Sequence, residues 1–99
     1  MEFMTVITTT VPDGTDPAEF EERRAAEAVR ARELAAAGHL IRLWRPLGEK
    51  RSIGLWRAAD NEEFGAIMTS LPLHRWMSID ITELESHPND PGPSDQDVR

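Results

Sequence analysis

A glutamate inside a predicted helix is the side chain of this sequence best suited to acid–base chemistry. Residues 17–37 are dense in Ala, Glu, Arg and Leu, which are strong helix formers. At 100° per residue Glu27 falls within the apolar stripe of that helix, which contains Phe20, Ala31 and Leu34. Burial raises the pKa of a carboxyl group, and a carboxyl group with a pKa near neutrality can both accept and return a proton. The sequence therefore predicts Glu27 as a candidate general acid–base.

A purely structural role for Glu27 is the main alternative. Three arginines lie at helical spacing from it, and an ion pair along the helix would explain the glutamate without any chemistry. These arginines are Arg23, Arg24 and Arg30. Spacing alone favours the structural interpretation. The partner of Glu27 in the folded chain has to decide between a structural ion pair and acid–base chemistry.

A second group of candidates lies at a predicted corner, in the stretch SLPLHRWMSID. Pro72 ends the second predicted helix, and His74, Arg75 and Trp76 follow before a strand-like alternation begins. Such a cluster is typical either of an ordinary helix-to-strand junction or of the rim of a pocket. We expect Trp76 to lie at a pocket rim or an interface, and for His74 both interpretations stay open.

No other arrangement of chemically reactive residues stands out. The sequence has no pair of histidines at metal-ligand spacing, no Ser-His-Asp order, no glycine-rich phosphate loop and no cysteine. We therefore expect neither a metal nor a cofactor.

The elements that position these residues follow from periodicity, caps and turns. The long helix begins at Asp16 and Pro17, where Glu19 would complete a capping box, and Gly38 ends it. The predicted elements are, in order, a strand (2–11), the helix (17–37), two strands joined as a hairpin (39–46 and 52–58), a helix capped by Asp60 and Glu63, and a strand from Met77.

The order β-α-β-β-α-β predicts an α+β fold of the ferredoxin-like type, a four-stranded antiparallel sheet with both helices on one face. Residues 1–86 would form this single domain, and the proline-rich residues 87–99 a tail. Trp44 and Trp56 point to opposite sides of their strands from Leu43 and Leu55, so both faces of the sheet carry large apolar groups. Since the helices cover one face only, we expect a homo-oligomer that dimerises through the sheet.

The charge balance limits the class of partner. A net charge of −7 argues against binding to nucleic acid or to an anionic membrane. Most basic residues lie between Arg23 and Arg57, where a small anionic molecule can still find a positive site. The N-terminal stretch MEFMTVITTT has no basic region and no long apolar run, so we expect a cytoplasmic protein without a signal peptide or membrane span.

Four stretches in this order and spacing resemble the muconolactone Δ-isomerase family of the catechol branch of the β-ketoadipate pathway. They are MEFMTVITTTVP, EAVRARELAAAGHLIRLWRPLGE, GLWRA and SLPLHRWMSIDITELESHPND. The resemblance covers residues 1 to about 90 and implies a ferredoxin-like plait, sheet-to-sheet homodimers and their assembly into a decamer. It also implies a reaction without cofactor or metal, in which (+)-muconolactone loses a proton at C4 and gains one at C2 to give 3-oxoadipate enol-lactone.

The resemblance assigns roles residue by residue. Glu27 falls where the family carries a glutamate, which makes it the expected proton carrier. We expect the substrate to be bound by Arg24, Trp44, Arg45, His74 and Trp76. Two positions depart from the family pattern: Ala28 stands where a lysine follows the glutamate, and His74 stands where an aromatic residue is more common.

These departures leave the substrate open. A related lactone or enone isomerase and a dehalogenase of chlorinated muconolactones use the same proton abstraction. A non-catalytic small-molecule binding module would keep the fold without the chemistry.

Overall fold

Two helices and a four-stranded sheet make up the chain. The structure is a computed structural model and describes residues 1–92 of the 99. In chain order the elements are β1 (Glu2–Thr9), α1 (Pro17–Ala36), β2 (Leu40–Trp44), β3 (Ser52–Arg57), α2 (Asn61–Thr69), a 3₁₀ turn (His74–Trp76) and β4 (Met77–Leu84). The strand order is β2-β3-β1-β4, and every neighbouring pair is antiparallel. This is the predicted ferredoxin-like arrangement, which is thereby confirmed.

Both helices pack on the same face of the sheet, around one apolar core. Phe3 of β1 stacks on Phe64 of α2 with ring centroids 4.2 Å apart, and Trp56 of β3 meets Phe64 edge-on at 6.2 Å. Leu34 is the fully buried residue of α1 and belongs to the same core. Large side chains therefore fill the space under α2, whereas α1 contributes little bulk.

The helix ends follow the sequence signals with two differences. Asp60 accepts a hydrogen bond from the Glu63 amide at 2.8 Å, but Glu63 accepts one from the Ala59 amide at 2.8 Å, one residue before the Asp60 amide that a capping box uses. At the start of α1, Asp16 caps the Ala18 amide at 3.3 Å, but Glu19 pairs with Arg23 instead of completing a capping box.

The strands β1 and β2 end earlier than the sequence predicts. β1 stops at Thr9, whose pairing with Met77 is the last in the register with β4, and β2 stops at Trp44 instead of residue 46. Pro46 has no N–H to contribute to a ladder, which explains the second difference. A register shift between Leu40 and Arg42 adds a bulge to β2.

The second face of the sheet is apolar, and no part of residues 1–92 covers it. Alternation along the paired strands places on this open face the side chains of Met4, Val6, Trp44, Ile53 and Leu55. Trp56 lies on the helix side and is buried, so the prediction of large apolar groups on both faces is confirmed.

The predicted tail lies only partly within the described residues. Its first residues form a turn in which the Asp90 amide donates to the His87 carbonyl at 2.9 Å. Residues 93–99 lie outside the part of the chain that the structure describes. Neither α1 nor α2 is long and apolar enough to span a membrane, and these are the helices within residues 1–92.

Candidate active site

A cavity of about 490 Å³ lies between α1 and the sheet. Its α1 wall includes Ala28 and Ala31, whose small side chains leave space above the strands. The opposite wall comes from the sheet and includes Ile7, Leu43 and Met77. The low bulk of α1 thus creates an apolar pocket at the end of the domain that α2 does not fill.

Glu27 points into this cavity, as the helical periodicity predicts. It is half-buried, and its Oε1 accepts a hydrogen bond from the Leu73 amide at 3.0 Å. Burial raises the pKa of the Glu27 carboxyl above its usual value, and the hydrogen bond from Leu73 opposes this effect. The carboxyl therefore combines partial burial with access to an open space, as a proton-transfer group requires.

The ion-pair interpretation of Glu27 is wrong within residues 1–92. Arg23 pairs with Glu19 at 3.3 Å, Arg24 with Glu21 at 2.9 Å and Arg30 with Glu33 at 3.1 Å. Each of these three arginines thus faces a carboxylate on the outer surface. Among the described residues, the hydrogen-bonding partner of Glu27 is the Leu73 amide, and no ion pair accounts for its position.

Basic side chains surround the cavity. Arg24 reaches it from α1 while it is bound to Glu21, and Arg45 and Lys50 reach it from the β2–β3 hairpin. No carboxylate of residues 1–92 lies within 4 Å of the cationic nitrogens of Arg45 or Lys50. Since Glu27 is the one carboxylate on the described walls, the cavity can accommodate an additional anionic group.

The other predicted site residues do not line this cavity. Trp44 lies on the open face of the sheet, where the Arg42 guanidinium sits 5.1 Å from its ring centroid. Trp76 packs against Phe20, with ring centroids 6.3 Å apart, and Phe20 forms part of the cavity wall. Trp76 therefore supports the wall from behind, and His74 lies beside it in the same 3₁₀ turn.

Lys50 and the Leu73 amide are among the contributors to the site that were not predicted. Lys50 falls in the predicted hairpin turn, two residues before β3 begins. It is an even number of residues from the inward-facing Trp56, so continued alternation would have placed its side chain on the helix side of the sheet. The Leu73 amide has no signature in the side-chain pattern, because a backbone donor becomes part of a site only through the path of the chain.

The chemistry available is proton transfer beside a bound anion. The Glu27 carboxyl group, with its raised pKa, lies on one wall. Arg45 and Lys50, which have no carboxylate of residues 1–92 within 4 Å, lie on the other wall, and the remaining surface is mostly apolar. Thr9 and Ser52 add hydroxyl groups to the lining. Among residues 1–92, no three His, Cys, Asp or Glu side chains form a cluster that would hold a metal ion.

Comparison with known proteins agrees with this architecture. The sequence pattern of the family described as muconolactone delta-isomerase matches residues 1–90. Muconolactone Delta-isomerase 1 of Acinetobacter lwoffii is 30% identical over 79 residues, which cover 80% of this chain and 82% of that protein. The corresponding Pseudomonas aeruginosa protein is 32% identical over 89 residues, which cover 90% and 93%.

A crystal structure of muconolactone isomerase at 3.3 Å resolution has the same fold. It matches with a TM-score of 0.87 at 26% identity, and the match covers 95% of this chain and 98% of that one. With a family pattern that spans nearly the whole chain and a shared fold, this chain belongs to the muconolactone delta-isomerase family.

Proposed function

We propose that this chain is an isomerase that converts (+)-muconolactone into 3-oxoadipate enol-lactone by proton transfer through Glu27. The observation that carries the proposal is the position of Glu27, a half-buried carboxyl group with a raised pKa and no ion-pair partner in residues 1–92, at the wall of an apolar cavity. Family membership supports the choice of substrate class.

The reaction needs one group that takes a proton and gives it back. The Glu27 carboxylate removes the proton from C4 of the lactone, and the electron pair left behind spreads through the conjugated C=C and C=O bonds as a dienolate. The protonated Glu27 then delivers the proton to C2, which moves the double bond and regenerates the carboxylate. Because Oε1 is held by the Leu73 amide, the other carboxylate oxygen is free to face the substrate.

The substrate carboxylate would be held on the side of the cavity opposite Glu27. Arg45 and Lys50 supply the positive charge there, and Arg24 adds to it while remaining tied to Glu21. The hydroxyl groups of Thr9 and Ser52 are the neutral donors available to the oxyanion of the dienolate. In this assignment Trp76 supports the site through Phe20, and Trp44 belongs to the sheet surface.

Assembly is part of the proposal. The open face of the sheet is the surface through which two copies would pair, and further assembly of such dimers, as far as a decamer, would follow the family pattern. We place the enzyme in the cytoplasm, where an intermediate of catabolism would reach it.

The test is product analysis on two substrates. Muconolactone and a chlorinated muconolactone are each incubated with the purified protein, and both the shifted double bond and released chloride are measured. The proposal expects conversion of muconolactone to the enol-lactone. Chloride release with little conversion of the unchlorinated lactone would assign the chain to dehalogenation instead, and binding of both lactones without turnover would assign it to a binding module.

A further inference from the structure

One peptide group joins Arg23 to Glu27. The Arg23 Nη1 donates a hydrogen bond to the Pro72 carbonyl oxygen at 3.2 Å, and the Leu73 amide donates to Glu27 Oε1 at 3.0 Å. The carbonyl of residue 72 and the amide of residue 73 are the two ends of the same planar peptide unit. The guanidinium and the carboxylate therefore lie at opposite ends of a single hydrogen-bonded chain.

Arg23 is held in the geometry that this chain requires. Its Nε contacts Glu19 Oε1 at 3.3 Å, and its guanidinium carbon lies 5.4 Å from the centroid of the Trp76 ring. The Trp76 backbone is fixed in turn, because its carbonyl accepts from the Thr10 amide at 2.8 Å. Two neighbours on different elements thus aim the guanidinium at the Pro72 carbonyl.

The electrostatic consequence follows from the order of the groups. A cation bound to a peptide carbonyl polarises the peptide, which strengthens the N–H at the other end as a donor. A stronger donor favours the ionised form of the carboxylate that accepts from it and keeps that carboxylate in one orientation. This acts against the burial that raises the pKa of Glu27.

We propose that Arg23 is a positioning residue for Glu27 and acts through the Pro72–Leu73 peptide. The catalytic consequence of this inference rests on the proposed function. The effect of Arg23 on the Glu27 carboxyl group does not depend on that function. Arg23 does not line the cavity, so it acts without contact with the substrate.

Other charged groups face Glu27 and have to be separated from this effect. Arg24 lies on the same helix, and Arg45 and Lys50 approach from the β2–β3 hairpin. The residues that β1 and β4 contribute to the cavity, Ile7, Thr9 and Met77, carry no charge. Those three cations stay unchanged when Arg23 alone is replaced.

Arg30 provides a matched control. Its side chain is 33% exposed, as is that of Arg23, and it pairs with Glu33 at 3.1 Å and donates to Ser70 Oγ at 3.1 Å. It has no bond to the Pro72–Leu73 peptide. Arg23→Met and Arg30→Met therefore remove the same charge from the same helix, and only the first breaks the chain to Glu27.

The experiment is an NMR titration of the Glu27 carboxyl carbon in the full-length protein, with the Leu73 amide proton shift as a second readout. In Arg23→Met the midpoint of the Glu27 titration should rise by about 0.3 to 1 pH unit, and the Leu73 amide proton should move upfield. Arg30→Met should leave both at their wild-type values. The acid limb of the pH profile of kcat/KM should move with the Glu27 midpoint while KM stays near that of the wild type.

The titration needs no turnover, so it keeps this proposal separate from the proposed function. If muconolactone is not converted but the Glu27 midpoint moves, the function fails and the role of Arg23 stands. Equal midpoints in the two Met variants would overturn the role of Arg23. Should Arg23→Met not fold, Arg23→Gln, which keeps a neutral donor, carries the same test and must also raise the midpoint.

Discussion

At the scale of single residues, the partner of Glu27 decides between chemistry and structure. Helical periodicity identifies Glu27 as inward-facing, but it places three arginines within reach of it. In the folded chain those arginines turn to Glu19, Glu21 and Glu33, and Glu27 meets a backbone amide. Angular position on a helix is predictable from sequence, whereas the choice among several competing carboxylates is not.

The raised pKa of Glu27 predicts a pH-dependent cost in stability. Because the folded state binds this proton more tightly than the unfolded state, stability falls as pH rises from the ordinary glutamate pKa through the raised folded value. Glu27→Gln removes this titration and can still accept from Leu73. Its stability relative to the wild type should therefore increase between pH 4 and pH 7.

Urea unfolding of the two proteins at both pH values measures this difference. Since every other titrating group is common to both proteins, their contributions cancel to first order. A stability difference that is constant with pH, or that favours the wild type more at pH 7, would contradict the raised pKa.

The basic residues of the hairpin should determine substrate affinity. Lys50→Met removes a charge from the cavity wall and keeps the Glu27 side chain. KM for muconolactone should therefore rise by roughly tenfold or more, because charge-assisted hydrogen bonds contribute about 1.5 to 3 kcal/mol. The change in kcat should be smaller.

Arg51→Met is the matched control for Lys50. Arg51 is the next residue in the chain, pairs with Glu49 and does not line the cavity. Steady-state kinetics that show the same KM for both variants would remove Lys50 from the site.

At the scale of elements, the order and type of helices and strands could be predicted, but the face of every strand residue could not. The bulge in β2 places Leu40 opposite Trp56 and Leu43 opposite Gly54, so both leucines face the helices despite a spacing of three. Simple alternation would put them on opposite faces. The side-chain pattern of β2 does not predict the extra residue of the bulge, because the position of a bulge is determined by the pairing of β2 with β3.

Gly54 is the element-scale feature with the clearest consequence for stability. A Cβ at this position would collide with the Trp56 indole nitrogen and lie 2.9 Å from Thr5 Oγ1, and these two groups form a buried hydrogen bond of 2.8 Å. Gly54→Ala should therefore lower the free energy of unfolding by about 1 to 3 kcal/mol, the usual cost of overpacking a core.

Gly65→Ala is the opposite control in the same protein. Gly65 lies in α2, and a Cβ at this position would have nothing within 4 Å, so alanine should stabilise the helix by about 0.5 to 1 kcal/mol. Chemical denaturation of both variants gives the comparison. A Gly54→Ala protein as stable as the wild type would show that the indole can move away at little cost.

At the scale of the whole molecule, the uncovered sheet face predicts association. Trp44 is 39% exposed on the edge strand β2, and it belongs to an apolar sheet face that no described element covers. We expect light scattering of the wild type to give a mass several times the 11.2 kDa of one chain. Trp44→Glu, which places a charge on this surface, should shift the mass downwards while circular dichroism stays that of a folded α+β protein.

Val29→Glu controls for the added charge, because Val29 is 47% exposed on α1, away from the sheet. It should leave the mass unchanged. A monomeric wild type at micromolar concentration would contradict the assembly that the sheet surface predicts.

The central claim is that Glu27 carries the proton between C4 and C2, and one measurement tests it most directly. Wild type and Glu27→Gln are compared for turnover of muconolactone and for exchange of its C4 proton with deuterated water. Loss of a positioned acid–base group slows turnover by roughly 10² to 10⁴-fold. The rates of turnover and of C4 proton exchange should therefore both fall by roughly 10²-fold or more in a variant that still folds and assembles. A folded Glu27→Gln protein that converts muconolactone within a few-fold of the wild-type rate would show that another group carries the proton.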